Sequence, residues 1–302
     1  MSLIFTNVFI YGGILLFACL MLAGLGDISV TLNFLDTATI DIRLLVMFFL
    51  AEPHFAMTLP LLYGYRKNFY NKPTAYIYAP LGIIFLASIL FFYQPNLFFL
   101  VFLIANIHHV NRQSVGFLRL QTKLPFVITK IYEANLHIVT AIGLYLALIK
   151  KTHSIMFALV LLICSLAVMG SLVRTSQKKW PSIREISVFA QGYFIFLPIL
   201  IFEDILMAFA VGISIHYLQY MFISWNILTK GFGYKIMPLF LILVVYTVLS
   251  TGALGGFLTQ ERMSIIVFIP TLLQLLHFYY DGFLWKRSDE LVAKTMKTAL
   301  SA

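Results

Sequence analysis

Ten times along this chain a stretch of residues passes almost without charge, each of roughly 17–25 residues, the length an α-helix needs to cross a hydrocarbon layer. The stretches are 3–25, 44–65, 75–93, 97–119, 127–149, 154–173, 186–202, 204–228, 236–258 and 263–285. Backbone N–H and C=O groups cannot be left unpaired in lipid, so a chain built of such runs is helical. Composition agrees: 61% of the 302 residues are hydrophobic and 11% charged, against about 25% charged in soluble domains. The expected fold class is all-α, a polytopic membrane bundle of about ten transmembrane helices forming one domain over 1–302. The stretch 28–42, with Asp36 and Asp41 in it and Asp27 just before it, reads as a short interfacial or re-entrant piece.

The formal charge of +9 does not point to nucleic acid, because the basic residues fall between the apolar runs. With the N-terminus inside, the inner loops collect Arg66, Lys67 and Lys72, then Arg119 and Lys123, then Arg174, Lys178, Lys179 and Arg184, then Lys230 and Lys235, and last Lys286 and Arg287. The outer loops collect Asp27, Asp36, Asp41, Glu203, Asp204 and Glu261. Lys150 and Lys151 alone break the pattern, and Arg262 sits beside Glu261. Positive residues concentrate inside, so both termini are expected in the cytoplasm of a bacterial inner membrane, with lipids as neighbours. The two cysteines, Cys19 and Cys164, sit inside apolar runs and give neither a disulfide framework nor metal spacing.

Ionisable groups inside apolar runs are costly and are functional until shown otherwise. Of seven histidines, six fall within the runs: His54, His108, His109, His137, His216 and His277; His153 falls in a loop. At 1.5 Å per residue the six lie within about 10 Å of one another in depth. Each of the three acids deep in a run stands near a histidine in sequence. Glu52 precedes His54 by two with Pro53 between; Glu133 precedes His137 by four, and Asp281 follows His277 by four, so each of these two pairs shares a helix face.

Neutral imidazole and carboxylate are ligands for iron and other transition metals, and a ligating histidine commonly gives its second N–H to a carboxylate or carbonyl. His54, His108, His216 and His277 are the first candidates to hold one or two ions, iron foremost. Glu52, His109, Glu133, His137 and Asp281 would complete the ligand set or orient it. His108 and His109 cannot face the same way, since adjacent helical residues diverge by about 100°. Arg112, Gln113, Tyr217, Gln219 and Tyr280 extend the polar surroundings and could meet substrate. Some of the 29 Phe and 16 Tyr could line an apolar tunnel for a hydrophobic small molecule.

The motif order resembles the Brp/Blh family of bacterial and archaeal β-carotene dioxygenases. Pro53-His54 matches that family's Pro-His near the middle of a span, and Ile107-His108-His109 its Ile-His helix. His277-Phe278-Tyr279-Tyr280-Asp281-Gly282-Phe283 matches its late His followed by Asp and aromatic residues. The resemblance implies a polytopic protein with an iron site built from transmembrane histidines. Two departures stand out: the family's late His-x3-His is His216 and Tyr220 here, and its Gly-Ala-Leu-Asp after Pro-His is Phe55-Ala56-Met57-Thr58. The membrane desaturases need several histidine boxes, and this chain has a single His-His.

The leading expectation is a membrane metal oxygenase or related oxidoreductase acting on a lipid- or isoprenoid-like substrate. No dinucleotide-binding glycine motif is present, so reducing equivalents would come from an electron-donor protein. A proton-coupled transporter using the same His and Glu groups as a relay, and a bis-histidine haem protein, are the alternatives.

Overall fold

A computed structural model describes residues 3–25, 30–31, 39–40, 46–122, 124–148, 155–202, 204–235, 238, 241–250, 265–285 and 292–295. His153, Lys286, Arg287, the loop acids Asp27, Asp36, Asp41, Glu203 and Glu261, and the loop cations Lys123, Lys150, Lys151 and Arg262 lie outside these residues. The described residues are overwhelmingly helical. The exception is a two-residue antiparallel pairing, β1 (Val30–Thr31) with β2 (Thr39–Ile40), in which Val30 faces Ile40 and Thr31 faces Thr39.

The chain divides into two compact units. One comprises Met47–Asn106 and Tyr220–Ala302. It opens with a π-helical turn, Met47–Ala51, that runs into α2 (Glu52–Ala56) and α3 (Thr58–Gly64); α1 (Leu3–Leu25) belongs to the other unit. Proline donates no backbone hydrogen bond, so Pro53 and Pro60 break this run into short pieces. The path nevertheless stays helical through Met57 (φ −60°, ψ −24°), whose N–H reaches the carbonyl of Pro53 at 3.1 Å. A short α4 (Lys67–Asn71), a second π turn (Thr74–Tyr78) and α5 (Ala79–Tyr93) follow.

The spine of this unit is α12 (Ile265–Leu284), which packs on α2, α3 and α5. Its N-terminal half is held by aromatic contact: Phe268 meets Phe91 with centroids 4.7 Å apart, and Phe91, Phe98 and Ala87 complete a buried cluster around it. Its C-terminal half is held by hydroxyls. Tyr279 donates to the carbonyl of Ala75 at 2.9 Å and Tyr280 to that of Tyr76 at 3.0 Å. Both acceptors lie in the second π turn, where the wider ring tends to loosen the backbone pairing.

The other unit comprises Ser2–Val46 and Ile107–Gln219. The boundaries fall inside two unbroken helices, α6 (Pro95–Gln121) and α10 (Ile205–Asn226). Between them come α7 (Phe126–Leu148), α8 (Ile155–Gln177) and α9 (Ile183–Phe194). Helix α9 starts where the sequence says it must: Ser182 accepts from the Glu185 N–H while the Glu185 carboxylate accepts from the Ser182 N–H, a reciprocal cap. Residues Ser187–Tyr193 are then buried without interruption. Tyr132 donates to the Phe189 carbonyl at 3.0 Å and Tyr193 to the Asn135 side-chain oxygen at 2.6 Å, which locks α7 to α9.

This fold corrects the ten-span expectation and the inner-membrane placement drawn from it. Among the described residues three helices are long and apolar enough to cross a membrane: Thr74–Tyr93, Met156–Gln177 and Met207–Gly231. Four of the other runs fail for identifiable reasons. Run 44–65 is cut by its prolines into pieces of five and seven residues beyond the π turn. Run 186–202 ends α9 after Phe194 and turns as a short 3-10 helix, Leu197–Leu200, its side chains buried against protein. Runs 97–119 and 127–149 become the long helices α6 and α7, but these carry Arg112, Arg119, Lys130 and Glu133 among their polar residues. Runs 236–258 and 263–285 fall partly outside the described residues, as do side chains at both ends of run 3–25; the apolar helical stretches described in 3–25 and 236–258 are Tyr11–Leu22 of α1 and α11 (Leu241–Ser250). The three apolar helices also differ from one another. Helices α5 and α8 leave large side chains uncovered, among them Phe85, Leu86 and Phe92 on one and Met156 and Ile163 on the other, whereas most of Met207–Gly231 is packed inside.

A close approach of helix to backbone in the second unit tests its packing. A Cβ at Gly212 on α10 would lie 2.0 Å from the Ile195 carbonyl oxygen. A Gly→Ala change inside a helix gains about 1 kcal/mol of propensity, but a backbone oxygen cannot swing away, and overpacking costs about 1–3 kcal/mol or more. Gly212→Ala is therefore expected to lower the unfolding midpoint of the full-length protein. An equal or higher midpoint in thermal or denaturant unfolding would contradict this packing.

Candidate metal centre

Helix α2 is short and buried on most sides, and that fixes His54. The residue is fully buried, four positions before the likewise buried Thr58 on α3. His277 reaches the same place from α12, about two and a half turns C-terminal of Phe268. The Nε2 atoms of His54 and His277 stand 2.9 Å apart, with ring centroids at 4.6 Å and planes at 68°. Phe55 lies edge-on to both rings, at 5.0 Å from each centroid. Phe278 and Phe102 continue the apolar wall.

His109 brings a third imidazole. It sits on α6, one turn beyond Asn106 on the same unbroken helix, and is buried, whereas its neighbour His108 is exposed. One ring nitrogen from each of His54, His109 and His277 lies within 4.8 Å of the others. Two metal–nitrogen bonds of about 2.1 Å at a right angle place their nitrogens about 3 Å apart. The His54–His277 separation fits such a pair. The donors are imidazoles with no thiolate; Cys19 and Cys164 are exposed and stand apart from this set. The cluster is a buried tri-histidine site able to hold a transition-metal ion.

Asp281 follows one turn after His277, buried, with Oδ2 3.6 Å from His277 Nε2. That is too long for a hydrogen bond, and the carboxylate is engaged elsewhere: Tyr220 donates to Oδ1 at 2.9 Å. Tyr220 also meets Thr58 Oγ1 at 3.1 Å, and Thr58 Oγ1 is hydrogen-bonded to His277 Nδ1. The sequence reading gave neither Thr58 nor Tyr220 a part in holding or orienting a ligand. Their signal was present: Thr58 is four after His54, and Tyr220 four after His216.

The remaining candidates go to other places. Glu52, two residues from His54, points away from it by the helical angle and has Ser250 and Gln274 beside it. Burial pushes its carboxyl up to about 7, and those two side chains draw it back only in part. His216 is buried with its ring 5.6 Å from that of His109, edge to face, and Tyr217 beside it. Gln219 donates to the Gln191 side-chain oxygen, and Tyr280 is tied to Tyr76. Gln113 is half-buried on α6.

His108, Arg112, Glu133 and His137 form a separate, more open group. The His108 and His137 rings are 5.7 Å apart, and His137 Nδ1 is 2.8 Å from the Glu133 carbonyl. Glu133 is ion-paired with Lys130 at 2.8 Å. Partial burial pushes the Glu133 carboxyl up, but Lys130, Arg112 and His137 outweigh it and hold it below the usual range. Burial, then the Arg112 charge, lowers His108.

No protein-family model matches the chain, and neither a search of curated proteins nor one of solved structures finds a match.

The open group is expected to be dispensable to the metal centre. Exposed ion pairs contribute about 0.2–1 kcal/mol, so Glu133→Gln should shift stability by no more than that and leave metal content unchanged. Loss of bound metal in Glu133→Gln, measured by elemental analysis, would place this carboxylate in the site after all.

Proposed function

We propose that the chain is a metal-dependent oxidoreductase, an iron oxygenase acting on an apolar, isoprenoid-like substrate at the site of His54, His109 and His277. The buried convergence of three imidazole nitrogens within 4.8 Å carries the reading. Three neutral ligands leave positions on an octahedral ion unfilled, the pattern of sites that must admit a reactant. Iron held there supplies one-electron chemistry toward dioxygen.

The chain's own residues support each remaining requirement. Phe55, Phe102 and Phe278 give an apolar wall, which excludes water and suits a hydrocarbon substrate. The absence of thiol ligands in the cluster favours iron or another nitrogen-loving metal over a sulfur-bound cluster. Two imidazoles with centroids 4.6 Å apart and planes at 68° do not sit on opposite faces of a porphyrin, which weighs against haem. The similarity of motif order to the Brp/Blh enzymes is in keeping with iron and with an isoprenoid substrate.

Full-length protein produced with iron supplied should contain about one equivalent of metal by elemental analysis. His54→Ala, His109→Ala and His277→Ala should each lose it, and His137→Ala should keep it. Dioxygen uptake should appear only when an apolar polyene is added in detergent. Wild-type protein that holds no stoichiometric metal after reconstitution would end this reading. Metal retained in His277→Ala would move the centre elsewhere.

A further inference from the structure

Hydrogen-bond polarity can be counted through the group behind His277. A carboxylate only accepts, so the Tyr220 hydroxyl spends its one proton on Asp281 Oδ1, 2.9 Å away. The Tyr220–Thr58 contact at 3.1 Å then has Thr58 as donor. The Thr58 hydroxyl also has one proton, so its contact with His277 must run the other way, with Nδ1–H donating to Thr58 Oγ1. A neutral imidazole with its proton on Nδ1 carries a lone pair on Nε2. That Nε2 is the atom 2.9 Å from His54 Nε2. The competing arrangement, a proton on Nε2 shared with Asp281, fails on distance: 3.6 Å is beyond hydrogen-bond range.

We infer that Thr58 and Tyr220 are positioning residues: with Asp281 they form a one-way relay that fixes His277 as the Nδ1–H tautomer, its Nε2 lone pair presented to a metal ion. The inference rests on the metal-centre reading for its purpose, though not for its geometry. Ligating histidines commonly direct their second N–H straight to a carboxylate. Here the carboxylate lies on the same helix as the histidine it orients, one turn on, and acts through two hydroxyls borrowed from α3 and α10. Three helices thereby share one proton order. Each relay member is buried: Thr58 and Tyr220 are each 3% exposed and Asp281 5%. Little water is at hand to replace a lost hydroxyl.

The test uses the full chain with 15N-labelled histidine, stripped of metal, and reads ring-nitrogen protonation by long-range 15N–1H correlation. Wild type should show His277 as Nδ1–H, and Thr58→Ser should preserve it. Thr58→Val, nearly the same shape without the hydroxyl, should release His277 to the Nε2–H form. Tyr220→Phe should do the same, since Thr58 is then free to donate to Nδ1. Zinc or cobalt(II) titration should give a 10–100-fold loss of affinity in Thr58→Val and Tyr220→Phe, with wild-type affinity in Thr58→Ser. His277 found as Nε2–H in the wild type overturns the relay even if the variants do not fold. An unchanged tautomer in both Thr58→Val and Tyr220→Phe overturns it equally. An Nδ1–H His277 that responds to these variants in a protein binding no metal would leave the relay standing and remove the metal reading instead.

Discussion

Two imidazole nitrogens held 2.9 Å apart, in a pocket walled by phenylalanine, are the constraint on which the first unit is built. Such an approach is tolerable only if one ring donates to the other or both face a cation. It also demands that two helices distant in sequence arrive in register. The prolines that break the 44–65 run make His54 available on a short segment. The aromatic cluster around Phe268 and the hydroxyls of Tyr279 and Tyr280 bring α12 to meet it.

Much of this was legible before any coordinates. Helical class followed from the long apolar runs, and the importance of His54 and His277 from the cost of burying an imidazole. The number of spans was not legible, because apolar composition records that a side chain avoids water without recording what it packs on. Run 186–202 is the clearest case: its side chains are buried by α1, α7 and α8 rather than left to face lipid. Run 44–65 is another, since hydropathy does not register what Pro53 and Pro60 do to helix continuity.

Within the site, spacing was a better guide to contact than residue type. The i,i+4 rule applied to His54 and His216 points to Thr58 and Tyr220, but hydroxyl residues are common in helices and drew less notice than acids. The same rule misled at Glu133–His137, where Lys130, one turn the other way, captures the carboxylate and leaves His137 bonded to the Glu133 backbone. Of the adjacent pair the sequence reading put His108 first, whereas it is His109 that joins His54 and His277 and His108 that is exposed. Which of two neighbours turns inward depends on the rotation of α6, a property of its packing partners.

That dependence on rotation gives the two adjacent tyrosines of α12 a meaning beyond stability. Hydroxyls from consecutive residues leave a helix about 100° apart, so a pair of them seated on the Ala75 and Tyr76 carbonyls works as a key in a keyway. A helix gripped only by apolar contacts can roll in its groove at little cost. With side chains extending about 6 Å from the axis, a roll of about 10° sweeps the His277 ring through roughly 1 Å, several times the ~0.2 Å tolerance of a metal–ligand bond. The angular setting of α12 is therefore a functional dimension, and it is secured by two phenols lying two and three residues beyond the ring whose aim they govern.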